Sequence, residues 1–181
     1  MKTLRYFAIT LLMFPLQLLA GTCEVTLSGS DSMKYDVNEI KVDASCGEFK
    51  LVLNHSGKLP ANIMGHNVVV VKESDFQIVV GSINMAHGAD SGYLPSDAPV
   101  LLKTGLIGGG ETTEVTVNAS AFKTGESYTF FCSFPGHYAM MKGAFSLNSL
   151  CVSPDISLHE TALNLCLRQY ELYYLSQEVR L

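Results

Sequence analysis

One ten-residue segment concentrates the chemistry of this chain: Cys132-Ser133-Phe134-Pro135-Gly136-His137-Tyr138-Ala139-Met140-Met141. It sets a thiol, an imidazole and a thioether at C-x4-H-x3-M spacing, from Cys132 through His137 to Met141. Soft sulfur ligands suit copper, and imidazole suits it too. Pro135 and Gly136 are turn-forming residues that let the segment double back, so all three side chains can face one point. A trigonal site of two histidines and one cysteine with a weak axial methionine needs one more imidazole. The upstream Met64-Gly65-His66-Asn67 supplies it, with His66 just before the apolar run Val68 to Val71. Taken singly, these residues have plainer readings. A lone histidine beside a strand is usually structural, and a methionine pair usually fills a core. Packing does not explain their joint occurrence in one short loop.

The elements that must position these residues read as strands. Glu24 to Leu27, Ile40 to Val42, Phe49 to Leu53 and Glu114 to Val117 alternate in polarity, with turn signals such as Gly29-Ser30-Asp31 between them. Val68 to Val71 is continuously β-branched, as in a strand buried on both faces. Tyr128 to Phe131 is aromatic and β-prone, and Gly143 to Leu147 closes the series. About seven or eight such strands predict an all-β sandwich. Residues from about Phe76 to Leu94 break the rhythm and read as a short helical flap. Gly108-Gly109-Gly110 is a turn, and no Lys-Ser/Thr follows it to make a phosphate-binding loop.

The 181 residues allow one domain with a small appendage. The formal net charge of -5, without any Lys/Arg run, argues against nucleic acid. Lys2 and Arg5 precede an apolar stretch, and Ala20-Gly21 offers small residues for cleavage, so residues 1–20 read as a secretory signal peptide. The apolar run is short for a membrane span, which predicts no stable membrane insertion after its removal. Thr22 separates Cys23 from the small residues, against lipid attachment. After Asn148 the β rhythm stops. Residues 149–181 form a separate tail in which Ile156, Leu163, Leu167, Tyr170 and Tyr174 keep helical spacing. An amphipathic helix, a partner-binding segment and a poorly ordered tail all fit it.

Export places the chain where cysteines pair. There are five, Cys23, Cys46, Cys132, Cys151 and Cys166, so at least one is left over or bound to something else.

With these motifs assembled, residues 21–148 resemble the azurin family of small blue-copper proteins. The resemblance is carried by Leu59-Pro60, Met64-Gly65-His66-Asn67, Leu106-Ile107-Gly108-Gly109-Gly110-Glu111, Phe130-Phe131-Cys132-Ser133-Phe134-Pro135-Gly136-His137 and Met141-Lys142-Gly143, with Cys23 and Cys46 near the start. It implies a cupredoxin-like Greek-key sandwich or barrel of about eight strands. It implies one type 1 copper per chain, held by His66, Cys132 and His137, with Met141 as axial thioether and the Gly65 carbonyl as a weak opposite contact. It further implies a Cys23–Cys46 disulfide, an Asn67 that ties the two ligand loops, and a Phe134 N–H donated to the Cys132 sulfur. Met33, Leu59, Met64, Pro135, Ala139 and Met140 would form an apolar docking rim around His137. The implied role is one-electron transport in the periplasm of a Gram-negative bacterium, between redox proteins such as c-type cytochromes or copper or haem reductases. His55 is then a buried structural or pH-sensitive histidine and not a ligand, while His87 and His159 have no assigned role.

The chain departs from that pattern in places. Val68 stands where many azurins have a buried Trp, and the segments near Asn84 to Gly92 and Ser96 to Lys103 differ. The tail after Asn148 has no counterpart, so Cys151 and Cys166 can pair, stay free or link chains. Two other functions compete. Cys132 could be a catalytic nucleophile with a histidine base, but Met141 has no part in such chemistry. The same ligands would also serve a copper carrier, and zinc binds such a set readily.

Overall fold

The computed structural model describes residues 23–148. The expected signal segment 1–20 and the tail 149–181, with Cys151, Cys166 and His159, lie outside the described residues. Among the described residues there are nine strands: β1 (Glu24–Ser30), β2 (Lys34–Tyr35), β3 (Glu39–Asp43), β4 (Glu48–His55), β5 (Val69–Lys72), β6 (Leu102–Lys103), β7 (Thr112–Asn118), β8 (Tyr128–Phe131) and β9 (Lys142–Asn148). Two short helices accompany them, α1 (Ala61–Met64) and α2 (Phe76–Gly81). One sheet runs β2-β1-β4-β7 and the other β3-β9-β8-β5-β6. The pairs β1/β4 and β3/β9 are parallel, and the remaining neighbours are antiparallel. This is the expected all-β sandwich of the cupredoxin type. The strands beyond the expected count are the two-residue β2 and β6.

Sequence alternation explains the layering. In β4 the side chains of Phe49, Leu51, Leu53 and His55 are buried and the intervening ones are less so. Phe49, Leu51 and Leu53 meet Leu27, Val42, Phe130 and Phe145 in the core between the sheets. The run Val68 to Val71 divides between two environments. Val68 and Val70 join the main core, whereas Val69 and Val71 pack with Phe76, Val79, Leu94 and Phe131 beneath the flap. A strand covered on both faces needs no polar alternation. The flap is helical as expected, comprising α2 and a 3-10 turn at Met85–His87. The turn expected at Gly29-Ser30-Asp31 begins later, because Gly29 and Ser30 complete β1 and pair with Tyr35 and Lys34.

A disulfide joins Cys23 to Cys46 across 23 residues of sequence, tying the start of β1 to the approach to β4. Closing a loop of that size in the unfolded chain stabilises the fold by about 3 kcal/mol. Among the described residues, no helix is long and apolar enough to cross a membrane.

Candidate metal centre

Cys132 follows β8 directly, and its side chain is completely buried. The loop after it closes by main-chain bonds. The His137 N–H donates to the Phe134 carbonyl at 2.9 Å, and the Met141 N–H to the His137 carbonyl at 2.8 Å. The Cys132 N–H donates to the Met141 carbonyl at 3.0 Å, pinning the two ends of the loop together. Gly136 makes the reversal possible with φ of +87°, a conformation that residues bearing a Cβ rarely adopt. His66 arrives from the other side. Its main chain bridges Ile107 through two bonds of 2.9 Å, just before β5 begins.

These two segments converge on one point. Nδ1 of His66 lies 4.0 Å from the Cys132 sulfur, and Nδ1 of His137 lies 3.8 Å from it. The three ligand atoms all fall within 4.8 Å of one another. Donors about 2.0–2.3 Å from one ion, spread at the corners of a triangle, would be separated by roughly 3.5–4 Å, so the set fits a metal. The Gly65 carbonyl faces the Cys132 thiol at 3.8 Å. Met141 is fully buried. Its terminal methyl and the His66 ring both lie against Gly29, where an added Cβ would fall 2.8 Å from His66 Cδ2 and 3.4 Å from Met141 Cε.

The protonation states suit metal binding. Burial, reinforced by the neighbouring positive charge of His66 and then His55, holds His137 down to about 4. Burial also lowers His66. Both imidazoles are therefore neutral, with a lone pair available at pH 7. Burial pushes the Cys132 thiol up to about 11, against the backbone N–H groups of Asn67 and Phe134 that donate to its sulfur. A metal must displace that proton, so binding releases one.

The surrounding groups fix the ligands. His66 Nε2 meets the Ser30 carbonyl at 2.9 Å, which leaves Nδ1 for the site. His55 stacks on His66 with centroids 4.3 Å apart and planes 11° apart. His55 Nδ1 accepts from the Gly57 N–H at 3.0 Å, so its Nε2 donates to the Met64 carbonyl at 2.8 Å. It is buried and turned away from the ligand cluster. Asn67 spans the two loops: its Oδ1 accepts from the Ser133 N–H at 2.9 Å, and its Nδ2 donates to the Ser133 hydroxyl at 2.8 Å. The Phe134 ring lies 4.4 Å from that of His137. Among the described residues, Cys132 is the one free cysteine.

Of the expected apolar rim, Met33, Leu59 and Met140 are exposed, at 39%, 37% and 62%. Ala139 is exposed as well, and Met64 and Pro135 are half-buried. His87 is exposed in the flap. Sequence reasoning missed Ile63, which projects beside Met64 and is 57% exposed. It also missed Ser133, Tyr35 and the Ser30 carbonyl. Ser133 adjoins Cys132 and was the most accessible of these. Nothing in the local sequence points to the other two.

Comparison with known proteins agrees with the geometry. Residues 21–148 match the family described as copper binding proteins, plastocyanin/azurin family. The chain is 48% identical over 128 residues to an azurin of Alcaligenes faecalis, covering 70% of this chain and 99% of that one. It is 49% identical over 131 residues to an azurin of Pseudomonas aeruginosa, covering 72% and 88%. Against an azurin of Bordetella pertussis the identity is 45% over 135 residues, covering 74% and 89%. A buried thiol flanked by two neutral imidazoles, on a two-sheet scaffold with this extent of likeness, places the chain in the plastocyanin/azurin family of copper-binding proteins.

Proposed function

We propose that Cys132, His66 and His137 would hold one copper ion, with the Met141 thioether and the Gly65 carbonyl as weaker donors, and that this centre carries single electrons between redox proteins. The protein is an electron carrier and not an enzyme. Copper bound here supplies one-electron chemistry between its +2 and +1 states. The observation that carries the reading is the free, fully buried thiol with two imidazole nitrogens at 3.8 and 4.0 Å, in a chain whose Cys23 and Cys46 are oxidised to a disulfide.

The residues around the site supply what such a carrier needs. Neutral His66 and His137 bind without first losing a proton. The Asn67 and Phe134 N–H groups partly neutralise the sulfur, and apolar surroundings exclude water, which together tune the potential. Main-chain closure of the 132–141 loop and the Asn67 clamp hold the donors in place, so little must move when charge changes. Among the described residues, Nε2 of His137 has no hydrogen-bond partner, and it is not enclosed as a buried unsatisfied atom. That ring edge is the route for electrons. Met33, Leu59, Met64, Pro135, Ala139 and Met140 frame it, joined by Ile63, as an apolar surface for brief docking. Its partners are c-type cytochromes or copper or haem reductases. Residues 1–20 direct export to the periplasm, where a disulfide persists, residues 21–148 form the carrier domain, and residues 149–181 extend it.

A redox titration tests the reading. The copper-loaded protein is reduced and reoxidised against a mediator while bound copper is measured after gel filtration. One electron per chain, taken up and returned with copper retained, is expected. Release of copper on each reduction would show delivery of the metal in place of electron transport.

A further inference from the structure

The Tyr35 hydroxyl stands outside the ligand set yet holds the main chain of the residue that follows His66. Tyr35 pairs with Gly29 at the edge of the four-stranded sheet, and its ring rests on Phe130 with centroids 5.4 Å apart. Its hydroxyl donates to the Asn67 carbonyl. Asn67 is thereby held on three sides: its carbonyl by Tyr35, its side chain by Ser133, and its N–H on the sulfur. The other face of Tyr35 lines an open surface cavity of about 390 Å³, together with Lys34, Asp36, Asn38, Met140 and Lys142.

We propose that Tyr35 is a positioning residue for electron transfer, whose hydroxyl fixes the Asn67 main chain against the Cys132 sulfur and so raises the reduction potential of the centre. The proposal rests on the reading of Cys132 as a metal-bound thiolate. Donors aimed at the sulfur offset negative charge, and the reduced centre carries one more electron than the oxidised one. Hydrogen bonds to the sulfur therefore favour the reduced state. Removing the hydroxyl loosens Asn67 and leaves its carbonyl without that donor, while a phenylalanine keeps the ring contact with Phe130.

The test is Tyr35→Phe, measured by voltammetry in the copper-loaded protein and by amide hydrogen exchange in the metal-free protein. At a fixed solution potential, the variant's reduced-to-oxidised ratio should fall between about twofold and tenfold, and tenfold corresponds to 59 mV for a one-electron couple. The Asn67 amide of the metal-free variant should exchange about tenfold faster. An unchanged or higher potential, or an unchanged Asn67 amide, would overturn the proposal. A purely structural tyrosine would lower the melting temperature and leave the potential where it was. Should the variant not fold, the unaltered metal-free protein decides by NMR. A slowly exchanging Tyr35 hydroxyl proton with a cross-peak to the Asn67 α-proton is expected, and its absence overturns the proposal. Wild type that binds Cu(II) without a blue band would instead sink the thiolate reading and this proposal with it. A blue wild type with an insensitive potential would sink the proposal alone.

Discussion

His66 and His137 place the same atom at nearly the same distance from the Cys132 sulfur, but the chain holds them differently. His66 is fully enclosed, its Nε2 on the Ser30 carbonyl, its face on His55 and its main chain bridged to Ile107. His137 sits in a loop closed by its own main chain and touches the Phe134 ring, and its Nε2 is left without a hydrogen bond among the described residues. The first is built into the scaffold before any metal arrives. The second is placed by a turn, with one edge toward solvent. A site that exchanges electrons needs both a rigid anchor and an outlet, and in the function proposed above the asymmetry divides those duties between the two imidazoles.

Truncating each histidine in the metal-free protein tests that division most strongly. His66→Ala opens an enclosed space and should cost about 3 kcal/mol in denaturant unfolding. His137→Ala should cost about 1 kcal/mol. Equal costs would erase the distinction between anchor and outlet. The clamp between the two regions comes next. Asn67→Ala strands the buried Ser133 N–H and should cost about 2–3 kcal/mol. A loss confined to copper affinity, with unfolding unchanged, would show that the clamp matters only once metal is bound.

Acid acts on the outlet. In the unfolded chain His137 titrates near about 6.5, whereas in the fold it stays neutral down to about 4. Between those values the unfolded state takes up a proton that the fold refuses. The metal-free protein therefore loses stability as pH falls through this window, by up to about 3 kcal/mol. Above about pH 6.5 this contribution is fully present. His66, also lowered, adds in the same direction. Unfolding curves at pH 7, 5.5 and 4, compared with His137→Gln, isolate the effect, and a wild type no more acid-sensitive than the variant would contradict it. The smallest effect concerns the anchor. A Cβ at Gly29 would lie 2.8 Å from His66 Cδ2, so Gly29→Ala should cost about 1–2 kcal/mol by overpacking. It should also weaken copper binding, and calorimetric titration reads both changes.

The same asymmetry marks what was legible in the sequence. The outlet loop could be read because its donors and turn formers are contiguous, from Cys132 to Met141. The buried strand could be read because Val68 to Val71 has two apolar environments to fill. The anchor was only half legible. His66 stood out beside that strand, but the groups that fix it are 36 residues away at Ser30 and 11 residues away at His55. Tyr35 and Ser133 meet Asn67 across 32 and 66 residues of sequence. Such contacts are made by sheet register, and register leaves no local mark. The two-residue strands β2 and β6 were missed for the same reason, being too short to alternate.

In the proposed function Cys132 binds copper as a thiolate between His66 and His137. Cu(II) added to the purified protein, alongside a Cys132→Ser variant, tests it by visible absorption with bound copper measured in both. An intense blue band in the wild type, missing from the variant, is the expected result. A wild type that binds copper and stays colourless would contradict the account.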